Sequence, residues 1–172
     1  MSTITISKVG TEAVSTLQEI GRQTFKETFE QSNTAENMAH YLEEGFSLEK
    51  LHKELSDPNA AFYFAQEDGM TIGYLKLNFG HAQTELKDSK GVEIERIYVR
   101  KDFHGKKVGQ LLYEKAVEVA KQQQANYIWL GVWEHNPRAI SFYEKNGFVA
   151  FDKHIFKLGD DEQTDIMMRM EL

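Results

Sequence analysis

The sequence predicts a mixed α/β fold of about seven strands flanked by helices, in a single domain over residues 1–172. Three observations lead there. Runs rich in β-branched and aromatic residues alternate with runs whose apolar residues recur at helical spacing. A strand–helix–strand unit between residues 92 and 133 implies a parallel pair, whereas Asp68-Gly69 between two apolar runs implies an antiparallel hairpin. A 41% hydrophobic content over 172 residues is enough for one substantial core, and no Pro-rich linker, repeat or low-complexity tract divides it.

The elements follow in chain order. Thr3–Val9 reads as a strand. Val14–Phe29 has helical spacing through Val14, Leu17, Ile20, Phe25 and Phe29. Asn33 or Thr34 suits an N-cap for a second helix, whose face is Met38, Tyr41 and Leu42 and which ends near Gly45. Ser47 suits the cap of a third, with Leu48, Leu51 and Leu55 as its apolar face. The hairpin strands are Ala60–Gln66 and Thr71–Phe79. A polar loop, His81–Gly91, leads to a strand at Val92–Val99. Val108, Leu111, Leu112, Ala116, Val119 and Ala120 then mark a long helix. Tyr127–Trp133 is mostly apolar and suits a buried strand. Asn136-Pro137 starts a helix that Asn146-Gly147 ends, the glycine suiting a left-handed residue after the last turn. Phe148–Phe156 and Asp165–Leu172 read as the closing strands.

Composition removes several function classes. A formal charge of −7 argues against general nucleic-acid binding and favours a cationic partner. No apolar run has membrane length, and the start MSTITISKVG lacks a signal-peptide core, so a cytoplasmic location is expected. Cysteine is absent, which removes disulfides, thiolate nucleophiles and cysteine-based metal sites. The six histidines form no tight ligand pair, so no metal is expected. Neither a Walker loop, nor G-x-G-x-x-G, nor a G-x-S-x-G nucleophile turn occurs.

One short basic stretch joins a predicted strand to a predicted helix: His104, Gly105, Lys106, Lys107, Val108, Gly109 and Gln110. The first N–H groups of a helix have no intrahelical partner, and the dipole is positive there. Gly105 and Gly109 would let a bulky anion approach the backbone, and Lys106 and Lys107 add positive charge. A plain solvated turn reads equally from these residues alone.

Two segments, EIERIYVRKDFHGKKVGQLLYEKAVEVA and IWLGVWEHNPRAISFYEKNGF, resemble the acetyl-CoA-binding core of the GNAT superfamily of N-acetyltransferases. TFKETFEQSNTAENMAHYL and IWLGVWE are similar to the PaiA-type polyamine acetyltransferases within it. The resemblance implies the GNAT fold, acetyl-CoA as cosubstrate without a metal, and a cationic small-molecule amine as acceptor, spermidine or spermine. Another amine (a protein N-terminus, a lysine, a small amine) and a CoA-sensing module without turnover stay open, and a homodimer is common among such relatives. It also implies that residues 104–110 hold the pyrophosphate, although His104 stands where Arg or Gln is usual and Lys107 where Gly is usual. The strand at Val92–Val99 is expected to bulge and splay from its neighbour, so that Ile97, Tyr98 and Val99 contact the acetyl-pantetheine end. Tyr143 is expected to act as general acid toward the CoA sulfur, Asn136 to touch CoA and Lys145 to reach its phosphates. On spacing alone, Tyr143 reads as a core aromatic, on an apolar face with Ala139, Ile140 and Phe142. Glu93 holds the position from which some relatives deprotonate the amine. Glu95, two residues on, points to the same side of the strand. An early acidic group, Glu27, Glu30, Glu36, Glu43 and Glu44, is expected on the wall of the acceptor cleft.

Overall fold

Seven strands form one sheet in the order β1-β2-β3-β4-β5-β7-β6. In chain order they are β1 (Ile4–Val9), β2 (Ala60–Glu67), β3 (Met70–Phe79), β4 (Gly91–Val99), β5 (Tyr127–Trp133), β6 (Val149–Leu158) and β7 (Asp161–Glu171). The helices are α1 (Val14–Phe29), α2 (Ala35–Gly45), α3 (Leu48–Ser56), α4 (Val108–Gln122) and α5 (Pro137–Lys145). This computed structural model describes residues 3–172, the side chains of Phe156 and Leu158 excepted; Met1 and Ser2, which open the expected domain, lie outside the described residues. Among those residues β4 and β5 are the parallel pair and every other pairing is antiparallel, so the sheet is mixed as expected.

Local chemistry sets the elements. Asp68 and Gly69 both have positive φ, 51° and 79°, as a tight turn with the twist of a hairpin requires. Thr34 and Ser47 cap α2 and α3, accepting from the N–H of Asn37 (3.1 Å) and Lys50 (3.2 Å). Asn136 does the same for α5 through Ala139 N–H at 3.2 Å, with Pro137 at the first helical position. One expectation fails at the C-terminal hairpin. β7 begins at Asp161 rather than Asp165, and β6 runs to Leu158, turning at Gly159 (φ 64°) and Asp160. The segment GDDEQT has no apolar residue, so no apolar alternation betrays the start of β7.

Two cores lie on opposite faces of the sheet. Beneath α4, Val108, Leu112, Ala116 and Ala120 pack on Leu75, Leu77, Ile94 and Leu130. Beneath α1–α3, Leu17, Ile20, Phe25 and Leu51 pack on Phe62, Phe64 and Tyr74. Each such large side chain contributes roughly 1.5–3 kcal/mol by leaving water.

β4 carries the irregularity that matters. Lys76 stands opposite Arg96 and Leu77 opposite Ile94, so Glu95 is an extra residue with no partner on β3. The bulge reverses the alternation of the strand. Val92 and Ile94, then Ile97 and Val99, face the α4 core, while Tyr98 packs toward α1–α3. Arg96 thereby joins Glu93 and Glu95 on one face, a residue that a strict period of two would have placed on the other.

Candidate active site at the splayed strands

β4 and β5 pair from Gly91–Tyr127 to Ile94–Leu130 and no further. Beyond that point β4 continues along β3 to Val99, and β5 continues along β7 to Trp133 opposite Asp165. The strands therefore part, and two cavities meet at the opening.

The larger, about 810 Å³, is lined by Ile97, Tyr98 and Val99, by the turn before α4 and by the start of α5. The turn supplies His104, Gly105, Lys107, Val108, Gly109 and Gln110; α5 supplies Arg138, Ala139, Phe142 and Tyr143, with Asn136 just before it. A Cβ added at Gly105 or Gly109 would meet nothing within 4 Å, so both glycines face open space. The N–H groups of Val108, Gly109 and Gln110, in the first turn of α4, have no partner inside the helix. Lys107, where Gly is usual, takes the left-handed conformation that glycine would take, at φ 63°. The resemblance departs in residue type there but not in backbone shape.

His104 bridges the groove. Its Nε2 donates to the Val99 carbonyl at 2.9 Å, and its Nδ1 accepts from Arg138. Those partners require the proton on Nε2. Arg138 has no carboxylate partner among the described residues and sits in the first turn of α5, where the dipole disfavours a cation. A lone Arg in a helix gives no sequence signal, and its position was not anticipated. Lys106 and Lys145 are not brought to the cavity. Lys106 lies over the Phe103 ring at 5.1 Å, and Lys145, two residues past Tyr143, is turned about 200° around α5 and exposed.

The smaller cavity, about 270 Å³, lies on the α1–α2 side of the sheet. It shares Ile97, Tyr98, Trp133, Asn136 and Tyr143 with the larger one. Tyr143 is 6% exposed and packs on Phe148 with ring centroids 5.5 Å apart, so it is a core aromatic as well as a wall of both cavities. Its hydroxyl has no hydrogen-bond partner among the described residues, and burial pushes its phenol well above the ordinary range.

Carboxylates reach this cavity from β4, β7 and the loop before β4. Glu93 is 3% exposed rather than a surface residue. Its Oε1 accepts from Asn78 Nδ2 (2.9 Å) and Thr84 N (2.8 Å), and its Oε2 from Thr84 Oγ1 (2.6 Å). Burial raises its carboxyl despite those donors. Glu95 also reaches Asn78, at 2.8 Å, so the two carboxylates do share a side. Burial alone would raise Glu95 too, but Arg96 and Lys76 hold it down at about 2. Lys76 Nζ sits 2.8 Å from Glu54 and 2.7 Å from Glu95, and Arg96 Nη2 3.1 Å and 3.3 Å from the same two residues. The pair thus splits into one carboxyl easily protonated and one held ionised.

The early acidic group is placed elsewhere. Glu30, Glu36, Glu43 and Glu44 are exposed on the outer faces of the helices, and Glu27 lines the larger cavity, accepting from Lys101 N–H at 3.0 Å. The wall that α1 and α2 give the smaller cavity is aromatic, from Phe25, Phe29 and Tyr41. No group of three or more His, Asp or Glu suited to a metal occurs among the described residues, and no helix among them is long and apolar enough to cross a membrane.

Comparison with known proteins agrees with this geometry. The sequence profile described as Acetyltransferase (GNAT) family matches residues 22–148. An uncharacterized N-acetyltransferase of Lactobacillus delbrueckii subsp. lactis is 44% identical over 153 residues, 89% of this chain and 88% of that protein. The spermidine N(1)-acetyltransferase of Thermoplasma acidophilum is 28% identical over 169 residues, 96% of this chain and 95% of that one. Among solved structures, the PaiA N-acetyltransferase of Thermoplasma acidophilum in complex with coenzyme A superposes with a TM-score of 0.81 at 27% identity, over 99% of each chain.

Proposed function

The chain belongs to the GNAT family and is an acetyl-CoA-dependent N-acetyltransferase; on that premise we propose that its acceptor is a polyamine such as spermidine or spermine. The observation that carries the reading is the meeting of two cavities at Tyr143, one walled by open main chain and the other by carboxylates and aromatic rings. Carboxylates and aromatic faces both favour an organic cation. The 28% identity to the spermidine acetyltransferase of Thermoplasma acidophilum supports the same acceptor class.

Acetyl-CoA supplies the thioester acyl group. Val108, Gly109 and Gln110 would hold its pyrophosphate through their free N–H groups, with Arg138 and Lys107 adding charge. The main chain of Ile97–Val99, released from β5 by the splay, would bind the pantetheine arm and offer an N–H to the acyl oxygen as negative charge develops there. Asn136 and Tyr143 close the groove at its reacting end. A phenol that burial keeps protonated is suited to give its proton to the departing sulfur.

The acceptor must lose a proton before it attacks. Thr84 lines the smaller cavity, and its hydroxyl donates to Glu93 at 2.6 Å. Glu93 would draw the ammonium proton through that hydroxyl, since its own oxygens are enclosed. A carboxyl raised by burial is matched to that task nearer neutral pH than an exposed one.

The test is a titration with acetyl-CoA followed by a panel of amines. Spermidine and spermine should exceed monoamines in kcat/KM, and rising salt should erode the advantage by screening. A protein N-terminus, a lysine or an aminoglycoside as the far better acceptor would overturn the polyamine reading. Binding of acetyl-CoA without turnover of any amine would instead leave a CoA-sensing module.

A further inference from the structure

The carboxylates around the smaller cavity can be matched with hydrogen-bond or ion-pair partners until one is left. Glu54 and Glu95 are matched by Lys76 and Arg96. Glu93 is held by Asn78 and Thr84. Glu85 pairs with His154 at 3.1 Å. Asp165 lines the same cavity and has no hydrogen bond or ion pair among the described residues. Its carboxyl is raised by burial, with only His154, opposite it on β6, pulling the other way. A desolvated carboxylate without a donor is costly, and the cost is removed when a cation arrives.

Its surroundings suit an alkyl-ammonium. Asp165 stands opposite Trp133, whose ring packs on Phe29 with centroids 5.2 Å apart. An indole face attracts cations more strongly than other rings do. Gly131 leaves the floor between them open: a Cβ there would lie 3.4 Å from Asp165 Oδ2. A glycine in the interior of a strand weakens it and often marks a place where something approaches the backbone closely.

Position then separates Asp165 from the reacting centre. The acyl group would sit in the opening between β4 and β5, where the cavities join. Asp165 is on β7, beyond β5, and does not line the larger cavity. From the middle of that opening to β7 is at least one and a half strand spacings, ~7 Å. A spacer of three or four methylenes, built from bonds of ~1.5 Å, together with an ammonium–carboxylate hydrogen bond of ~2.8 Å spans about that distance.

We propose that Asp165 is the specificity-determining carboxylate of the acceptor site, binding a second ammonium of a polyamine across Gly131 and against Trp133 while the first lies over the splay. The proposal rests on the polyamine reading but assigns a residue that neither sequence pattern nor resemblance singled out.

The experiment compares the parent enzyme with Asp165→Asn and Asp165→Glu on spermidine and butylamine, with direct spermidine titration in the presence of CoA. Losing a hydrogen bond between charged groups should lower the preference for spermidine over butylamine by about ten- to a hundredfold in Asp165→Asn. Spermidine affinity in the titration should weaken by a similar factor, and Asp165→Glu should recover part of both. Spermidine binding that ignores the substitution would overturn the proposal, as would, in a parent that prefers spermidine, a preference left unchanged, whether neither amine or both equally are affected. If the parent binds spermidine through Asp165 yet acetylates it no better than butylamine, the site stands and the polyamine-substrate reading falls.

Discussion

Around the larger cavity the polar groups on offer are mostly main-chain: the first N–H groups of α4 and the strand Ile97–Val99 that the splay sets free. Around the smaller one they are side chains: Thr84, Glu93 and Glu95, fixed by a buried set of ion pairs and hydrogen bonds, together with Glu85 and an Asp165 that has no such partner among the described residues. A ligand read by backbone tolerates changes of residue type so long as the turn keeps its shape. If the turn holds the pyrophosphate as proposed, that is how His104 and Lys107 stand in for the usual residues. A ligand read by side chains does not tolerate such changes, because each carboxylate there has been given a separate environment. Members of one family can therefore share a cosubstrate and differ in acceptor without changing fold.

Tyr143 belongs to both cavities, so its replacement tests their junction and should have the largest effect. Tyr143→Phe keeps the packing on Phe148 and removes only the hydroxyl. General acid catalysis is typically worth about 10²–10⁴-fold, and kcat should fall by that range with little change in acetyl-CoA affinity. Steady-state rates on folded protein decide this. A Phe variant within about threefold of the parent in kcat, with chemistry rate-limiting, would reduce Tyr143 to a core aromatic.

The side-chain half makes the next prediction. Because burial raises the Glu93 carboxyl, its proton is held to higher pH than in an ordinary glutamate. The protonated form accepts no proton, so kcat/KM should fall as pH drops through the raised value. Glu93→Gln should lower kcat by about 10²-fold, the low end for a general base, and abolish that acid limb. A pH–rate profile of the Gln variant that keeps the parent's acid limb would assign the base elsewhere.

The backbone half should be insensitive to side chains except where one fills the groove. Gly109 is such a place: its Cβ would have no neighbour within 4 Å in this structure, so Gly109→Val should fold normally and project into the larger cavity, where the pyrophosphate is proposed to lie. Overpacking of a fitted site costs about 1–3 kcal/mol, and the acetyl-CoA KM should rise about tenfold. Amine preference should stay as in the parent. An unchanged KM in a folded variant would mean that residues 104–110 do not hold the cosubstrate.

Local signals made most of the fold legible. Caps at Thr34, Ser47 and Asn136 and the turn at Asp68-Gly69 act within four residues, and all lie where the sequence placed them. The place of the groove was legible for a related reason: a turn between strand and helix presents the first N–H groups of that helix. What was hidden depends on partners distant in sequence. That β4 bulges was implied by the resemblance, but the place of the bulge, at Glu95, appears only in the register against β3, and it is what brings Arg96 to Glu54. Asp165 gains meaning only because β7 lies beside β5 and Gly131 is bare. The acidic residues of α1 and α2 were conspicuous in sequence, but helix geometry turns Glu36, Glu43 and Glu44 outward.

The smallest effect should come from Lys107, and it probes whether the turn is read by shape alone. At φ 63° a lysine bears a steric penalty of roughly 1–2 kcal/mol that glycine does not. Glycine also frees the unfolded chain, which costs about 0.5–1 kcal/mol. The two oppose each other, and Lys107→Gly should stabilise the protein by between zero and about 1.5 kcal/mol. For a chain of this size that is a rise in Tm of at most about 3–6 °C. The turn keeps its conformation and loses one positive charge near the groove. If backbone N–H groups do most of the binding, the acetyl-CoA KM should rise no more than about fivefold, the share of a single solvent-exposed charge of up to about 1 kcal/mol. A tenfold or greater loss of acetyl-CoA affinity with unimpaired stability would show that the Lys107 ammonium itself holds the phosphates. The contrast between a backbone-read groove and a side-chain-read cavity would then fail at its most exposed residue.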